Sequence, residues 1–131
     1  MSKILKEDVA DLEKQYTEAA NSLGTFLINN WGALTPSERI SLRNQGIALI
    51  NQVQELETHA VGVILDDTEV SLNQIKQATE DANQAIKTVN SFKKAITIAT
   101  SLVTLSASIY AGNIGGIASA LQGVLDAVKG S

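Results

Sequence analysis

Apolar residues recur along this chain at alternating intervals of three and four, the spacing that brings them to one stripe of a helix. The first series is Leu5, Val9, Leu12, Tyr16, Ala19, Leu23 and Phe26, which predicts a helix over about 3–29. Its other positions hold Lys6, Glu7, Asp11, Glu13 and Lys14, a solvated face with local charge pairing. The stretch NNWGALTPSE then predicts a turn and a helix start: Gly32 permits a left-handed backbone, Thr35 caps, Pro36 suits the first helical position, and Glu38 completes a capping box. The second series, Leu42, Gly46, Leu49, Val53, Leu56, Ala60 and Val63, predicts a helix over about 36–65, with Gly46 either costing propensity or admitting a close neighbour. Asp66, Asp67 and Thr68 supply candidate caps for the next segment. That third series runs from Ile75 through Ala78, Ala82, Ala85, Val89, Phe92, Ile96, Ala99, Val103 and Ser106 to Tyr110, and predicts a helix over about 68–111. Gly112, Asn113, Gly115 and Gly116 break it, after which Ile117, Leu121, Val124, Leu125 and Val128 mark a short helix over about 114–129.

These elements define an all-α chain. At 1.5 Å per residue the first two helices would be roughly 42–45 Å long and the third roughly 66 Å, so with short antiparallel connections the third overshoots its neighbours. The expectation is a single domain over 1–131: an elongated, charged heptad bundle over 1–94, with an uncharged helical hairpin over 95–131 at the end nearest Trp31. A compact four-helix bundle, in which the third segment is kinked near Asn90 and Ser91, is the competing arrangement.

The distribution of charge sharpens this picture. From Ala95 to Leu125, 31 consecutive residues contain no Asp, Glu, Lys, Arg or His, whereas the preceding chain is densely charged. On a helical projection Ile96, Ile98, Ala99, Leu102, Val103, Leu105, Ile109 and Tyr110 form an apolar half-cylinder, opposite a hydroxyl stripe of Thr97, Ser101, Thr104 and Ser108. Ile117, Leu121 and Leu125 continue the apolar side on the last helix. A water-facing stripe usually includes Lys, Glu or Gln. Its absence fits either burial in a core or oligomer interface, or contact with lipid, where charges are costly and hydroxyls bond back to helix carbonyls. In the lipid reading, Lys93 and Lys94 snorkel to headgroups and Trp31 is an interfacial anchor. As a transmembrane span the run is diluted by hydroxyls and glycines.

Composition excludes several classes. The formal net charge of −4 offers no clustered basic field for DNA or RNA. The chain has no cysteine, which removes disulfides, thiolate metal sites and a Cys nucleophile. The opening MSKILKEDVADLEKQ puts acidic residues where a signal peptide needs its apolar core. The expectation is a cytoplasmic or membrane-associated chain made without a classical signal peptide, any export following a non-classical route.

A charged helical bundle carrying the hairpin KKAITIATSLVTLSASIYAGNIGGIASALQGVL resembles, in layout, the α-helical pore-forming toxins of the cytolysin A type. The resemblance is architectural and implies oligomers whose hairpins enter a bilayer together. Enzyme chemistry finds little support: His59 is the only histidine and Glu55 alone accompanies it, which calls for no metal and no cofactor. The glycines Gly112, Gly115 and Gly116 follow no strand and read as turn residues. The functional expectation is therefore a non-enzymatic, membrane-active protein, pore-forming as a homo-oligomer. The alternative is a soluble helical interaction or assembly module whose hairpin is buried against its own copies or a protein partner.

Overall fold

The computed structural model describes residues 2–66 and 70–130. The fold is all-α. Helices α1 (Lys6–Asn29) and α2 (Pro36–His59) are joined through a single 3-10 turn at Trp31–Ala33, and are followed by α3 (Leu72–Lys87), α4 (Phe92–Ala111) and α5 (Ile114–Lys129). They close a ring in the order α2, α1, α3, α5, α4 and back to α2. A single apolar core draws residues from all five helices, among them Leu12 and Tyr16 of α1, Leu49 of α2, Ile75 of α3, Leu102 of α4 and Val124 of α5.

The start of α2 follows from its cap. Thr35 Oγ1 accepts from the Glu38 backbone N–H at 3.1 Å, and Glu38 Oε1 accepts from the Thr35 N–H at 2.8 Å, with Pro36 at the first position. Its end comes earlier than the periodicity suggests, at His59 rather than near residue 65. Gly62 adopts φ +92°, a conformation that side-chain-bearing residues avoid, and the backbone turns out of the helix there. The freed strand β2 (Ile64–Leu65) pairs antiparallel with β1 (Ser2–Lys3), Lys3 opposite Ile64, extended by an Ile4 N–H to Val63 carbonyl bond of 2.8 Å. Two residues on each side thereby tie the N-terminus to the α2–α3 connection, and α1 begins at Lys6 instead of residue 3. Of the acidic cluster expected to cap the next helix, Asp67 and Thr68 lie outside the described residues. The cap of α3 is Ser71, in a reciprocal box with Gln74.

The largest departure is the segment 68–111, which is two helices. Lys87 ends α3, the chain crosses Thr88–Asn90, and Ser91 Oγ accepts from the Lys94 N–H at 3.3 Å to start α4. β-branched Thr88 and Val89 followed by Asn90 are poor helix propagators, while Ser91 is a good cap. Val89 and Phe92 stay half-buried at the corner, so the apolar spacing runs on through a reversal of direction. No helix overshoots: α1 and α2 have 24 residues each, α3 and α5 have 16, and α4 has 20. The elongated stalk with a projecting tip is thus replaced by a compact bundle broken at the kink position. The last helix lies where its pattern places it.

Candidate functional site

The hairpin of α4 and α5 turns at Gly112, which takes φ +70° as the left-handed cap of α4, and at Asn113, whose side chain accepts from the Gly116 N–H at 3.0 Å. Its turn lies at the opposite end of the bundle from Trp31, because the Tyr110 ring sits 5.9 Å from that of His59 at the far end of α2. Trp31 instead lies at the end where α4 begins: Asn29, Asn30 and Val89 line one cavity there, placing the α1 terminus beside the α3–α4 corner. Lys93 is exposed and Lys94 half-buried at that same end. Trp31 is 52% exposed and stacks under the Arg39 guanidinium at 4.3 Å, while Arg39 also donates two bonds to the Trp31 carbonyl.

The apolar side of the hairpin faces inward. Ile98, Leu102, Leu105 and Ile109 are fully buried, as is Ile117, and Leu121 is nearly so. Ile96, Val103, Tyr110 and Leu125 are half-buried at the margins. The stripe faces outward. Thr97 and Thr104 are exposed, Ser101 and Ser108 half-buried, and Thr100 extends the row. Each of the four hydroxyls donates to a carbonyl of its own helix: Thr97 to Lys93, Ser101 to Ile98, Thr104 to Thr100 and Ser108 to Thr104, at 2.7–3.0 Å. Beyond Lys93, which is exposed four residues before Thr97 on the same stripe, the outer face of α4 presents threonine methyl groups and already-bonded hydroxyls to the surroundings.

A buried polar relay holds α4 in place. The Tyr16 hydroxyl donates to the Leu102 carbonyl at 2.6 Å, and Ser106 Oγ donates to Gln52 Oε1 at 2.6 Å, linking α1, α4 and α2. Burial pushes the Tyr16 phenol well above the ordinary tyrosine range, against the opposing influence of neighbouring Ser106. A second polar seam sets α1 against α3. Lys76 Nζ reaches Asp8 at 2.8 Å and Asp11 at 3.3 Å, Asn83 donates to Gln15 and Glu18, and Lys87 approaches Glu18 at 3.7 Å. Burial raises the Asp8 carboxyl, but the Lys76 hydrogen bond, the Leu5 N–H and the Lys76 charge together hold it below the usual value.

A surface that the helical seams do not announce lies on α2. Ile40 is 60% exposed, Ile47 49%, Ile50 47% and Val61, just past the helix end, 49%. Beside them a groove of about 360 Å³ runs between α1 and α2, lined by Ala20, Gly24, Leu27, Gly46, Ile47 and Ile50 among others. At Gly24 and Gly46 nothing stands within 4 Å of where a Cβ would be, so Gly46 floors an open groove and admits no close neighbour from its own chain. The signal was present only in part as spacing: Ile40, Ile47 and, past Gln54, Val61 fall on one seven-residue repeat with Ile50 beside it between Arg43 and Glu57, outside the stronger inner repeat of Leu42, Leu49 and Leu56.

His59 is exposed at the end of α2, 3.5 Å from Glu55. Among the described residues no group of three or more His, Asp or Glu side chains converges as a metal site would require. No family model, curated protein or solved structure matches the chain.

Proposed function

We propose that this chain is a non-enzymatic, membrane-active helical protein in which the α4–α5 hairpin is sheltered in the compact bundle and enters a bilayer in a second, oligomeric state. One observation supports this reading above the others. Helix α4 spans 20 residues and contains an 18-residue stretch of mean hydropathy 1.3, and past the exposed Lys93 its solvent-facing stripe carries bonded hydroxyls and no charge. Twenty residues make about 30 Å of helix, the thickness of a hydrocarbon core. Between Ala95 and Ala111 such a helix has no charged side chain to strip of water, and Lys93 and Lys94 in its first turn stay at the headgroups, so transfer to lipid costs chiefly the bundle contacts. Sixteen-residue α5 is shorter than a span, which suits a hairpin that inserts beside other copies.

The reading is tested by dye release from liposomes together with Thr104→Lys. Thr104 is exposed in the bundle, so lysine there changes folding stability by no more than about 0.5 kcal/mol. In the middle of a bilayer the same lysine costs about 2.5–3.5 kcal/mol, and leakage falls by roughly 100-fold or more. Absence of leakage and of vesicle pelleting by the unmodified protein, across lipid compositions and pH, overturns the proposal.

A second reading is a helical interaction or assembly module. It is supported by the complete burial of Ile98, Leu102, Leu105 and Ile109 within their own subunit, while the exposed isoleucines sit on α2. Under it, the protein forms a defined assembly indifferent to lipid.

A further inference from the structure

The outer face of α2 combines three properties. It exposes a row of large apolar side chains, Ile40, Ile47 and Ile50, at roughly half or more of their area. Next to that row lies the groove floored by Gly24 and Gly46, open to anything entering from outside. On the same stripe, seven residues before Ile50, stands exposed Arg43, and seven residues after it stands exposed Glu57. Neither has an ion-pair partner among the described residues.

From this face we infer that the partner of α2 is a second copy of this chain, its α2 lying antiparallel across the first about a two-fold axis near Ile47 and Ile50. An isologous contact needs a surface that carries both knob and hole, and here the isoleucine ridge and the glycine-floored groove lie side by side. The charge order fixes direction. Parallel pairing sets Arg43 beside Arg43 and Glu57 beside Glu57, whereas antiparallel pairing brings each Arg43 within one helical turn of the other copy's Glu57, twice per dimer. Burial raises the Glu13 carboxyl of α1 and the charge of Glu57 adds to it, so a partner's guanidinium beside Glu57 offsets that unfavourable charge. From Ile40 to the helix end at His59 the stripe is about 29 Å long, and Val61 lies just past it. A lipid surface is a poorer match, since the face carries both signs of charge and no lysine row. The inference rests on α2 and stands independently of the membrane reading of α4.

The test is sedimentation equilibrium of the full chain without lipid, from about 1 to 200 µM, a range that brackets the affinity of contacts of this kind. A concentration-dependent monomer–dimer equilibrium is expected. Ile47→Asp abolishes it while leaving the helical circular dichroism unchanged, because Ile47 is half exposed in the monomer. Arg43→Glu and Glu57→Arg each raise Kd by roughly 10-fold or more, and the double exchange restores it to within about 3-fold of the original. A strict monomer over the whole range overturns the proposal. So does a dimer unaffected by Ile47→Asp, or one in which the double exchange is no better than the single changes. Pelleting of a monomeric chain by neutral vesicles, lost in Ile47→Asp, would assign the face to lipid and overturn it equally.

Discussion

The Tyr16 hydroxyl reaches across the core to the Leu102 carbonyl, one of the few polar contacts between α1 and α4. That carbonyl belongs to a helix interior, so removing the tyrosine donor leaves it with its helical partner. Tyr16→Phe therefore costs only about 0.5–1.5 kcal/mol, a Tm lower by about 2–6 °C in a chain of this size, read by calorimetry. Asp8 is the more consequential residue. It caps the Leu5 N–H at 2.9 Å and pairs with Lys76, joining the start of α1 to α3. Its carboxyl is depressed, so the stability it contributes is present above about pH 4, the unfolded value, and is lost as pH falls through the lower folded value. Lys76 is raised by the same contact, and its share persists until pH climbs past the unfolded lysine value of about 10.4. Asp8→Ala should destabilise by about 1–3 kcal/mol at pH 7, and the gap to the parent should narrow in urea titrations near pH 3.

At the scale of elements, the apolar seams of α1 and α2 were legible because each helix keeps one phase along its length, although Leu5, first of the α1 series, is the exposed N-cap, and Gly46 and Val53 of α2 are only half-buried. Val9, Leu12, Tyr16, Ala19, Leu23 and Phe26 are all buried as their spacing requires. The third series misled because apolar spacing is indifferent to a reversal of the chain when both helices face one core. Below the corner the buried face of α4 is Ala95, Ile98, Ala99, Leu102, Leu105, Ser106 and Ile109, which keeps Ala99 and Ser106 of the series expected from a continuous rod but leaves Ile96, Val103 and Tyr110 at its margin. The end of α2 departs from its periodicity for a different reason, since the stop depends on Gly62 and on a pairing with the N-terminal strand that no local pattern encodes. The inward apolar and outward hydroxyl faces of α4 were legible from angle alone, because a helix inside a ring has only one side toward the core. The exposed row on α2 is faint in the sequence because Arg43, Gln54 and Glu57 interrupt it, whereas the interior stripe of Leu42, Leu49 and Leu56 is unbroken. Gly46 gives that helix a measurable weakness. With open space where a methyl group on Gly46 would stand, Gly46→Ala should stabilise the monomer by about 0.5–1 kcal/mol. In the antiparallel dimer the same methyl stands in the groove, so the gain in monomer Tm should come with weaker association.

For the molecule as a whole, the two surfaces impose different demands. Pairing through α2 leaves the bundle closed, whereas lipid entry by the hairpin requires α4 to leave α1 and α2. The relay of Ser106 to Gln52 and Tyr16 to Leu102 marks where that separation must occur. Exposing Ile98, Leu102, Leu105 and Ile109 to water would cost about 1.5–3 kcal/mol for each side chain, so opening without an acceptor is strongly uphill. A bilayer removes most of that cost by taking the same side chains out of water again. The chain has no cysteine, so a Gln52→Cys/Ser106→Cys pair bridged by a cleavable bifunctional thiol reagent clamps α4 to α2 at one defined place. The bridged protein should keep its helical circular dichroism and its α2-mediated dimer. Dye release from liposomes should be lost while the bridge is intact and return when it is cleaved. Full leakage from the clamped protein would show that α4 need not leave α2, and would move any membrane activity to another part of the bundle.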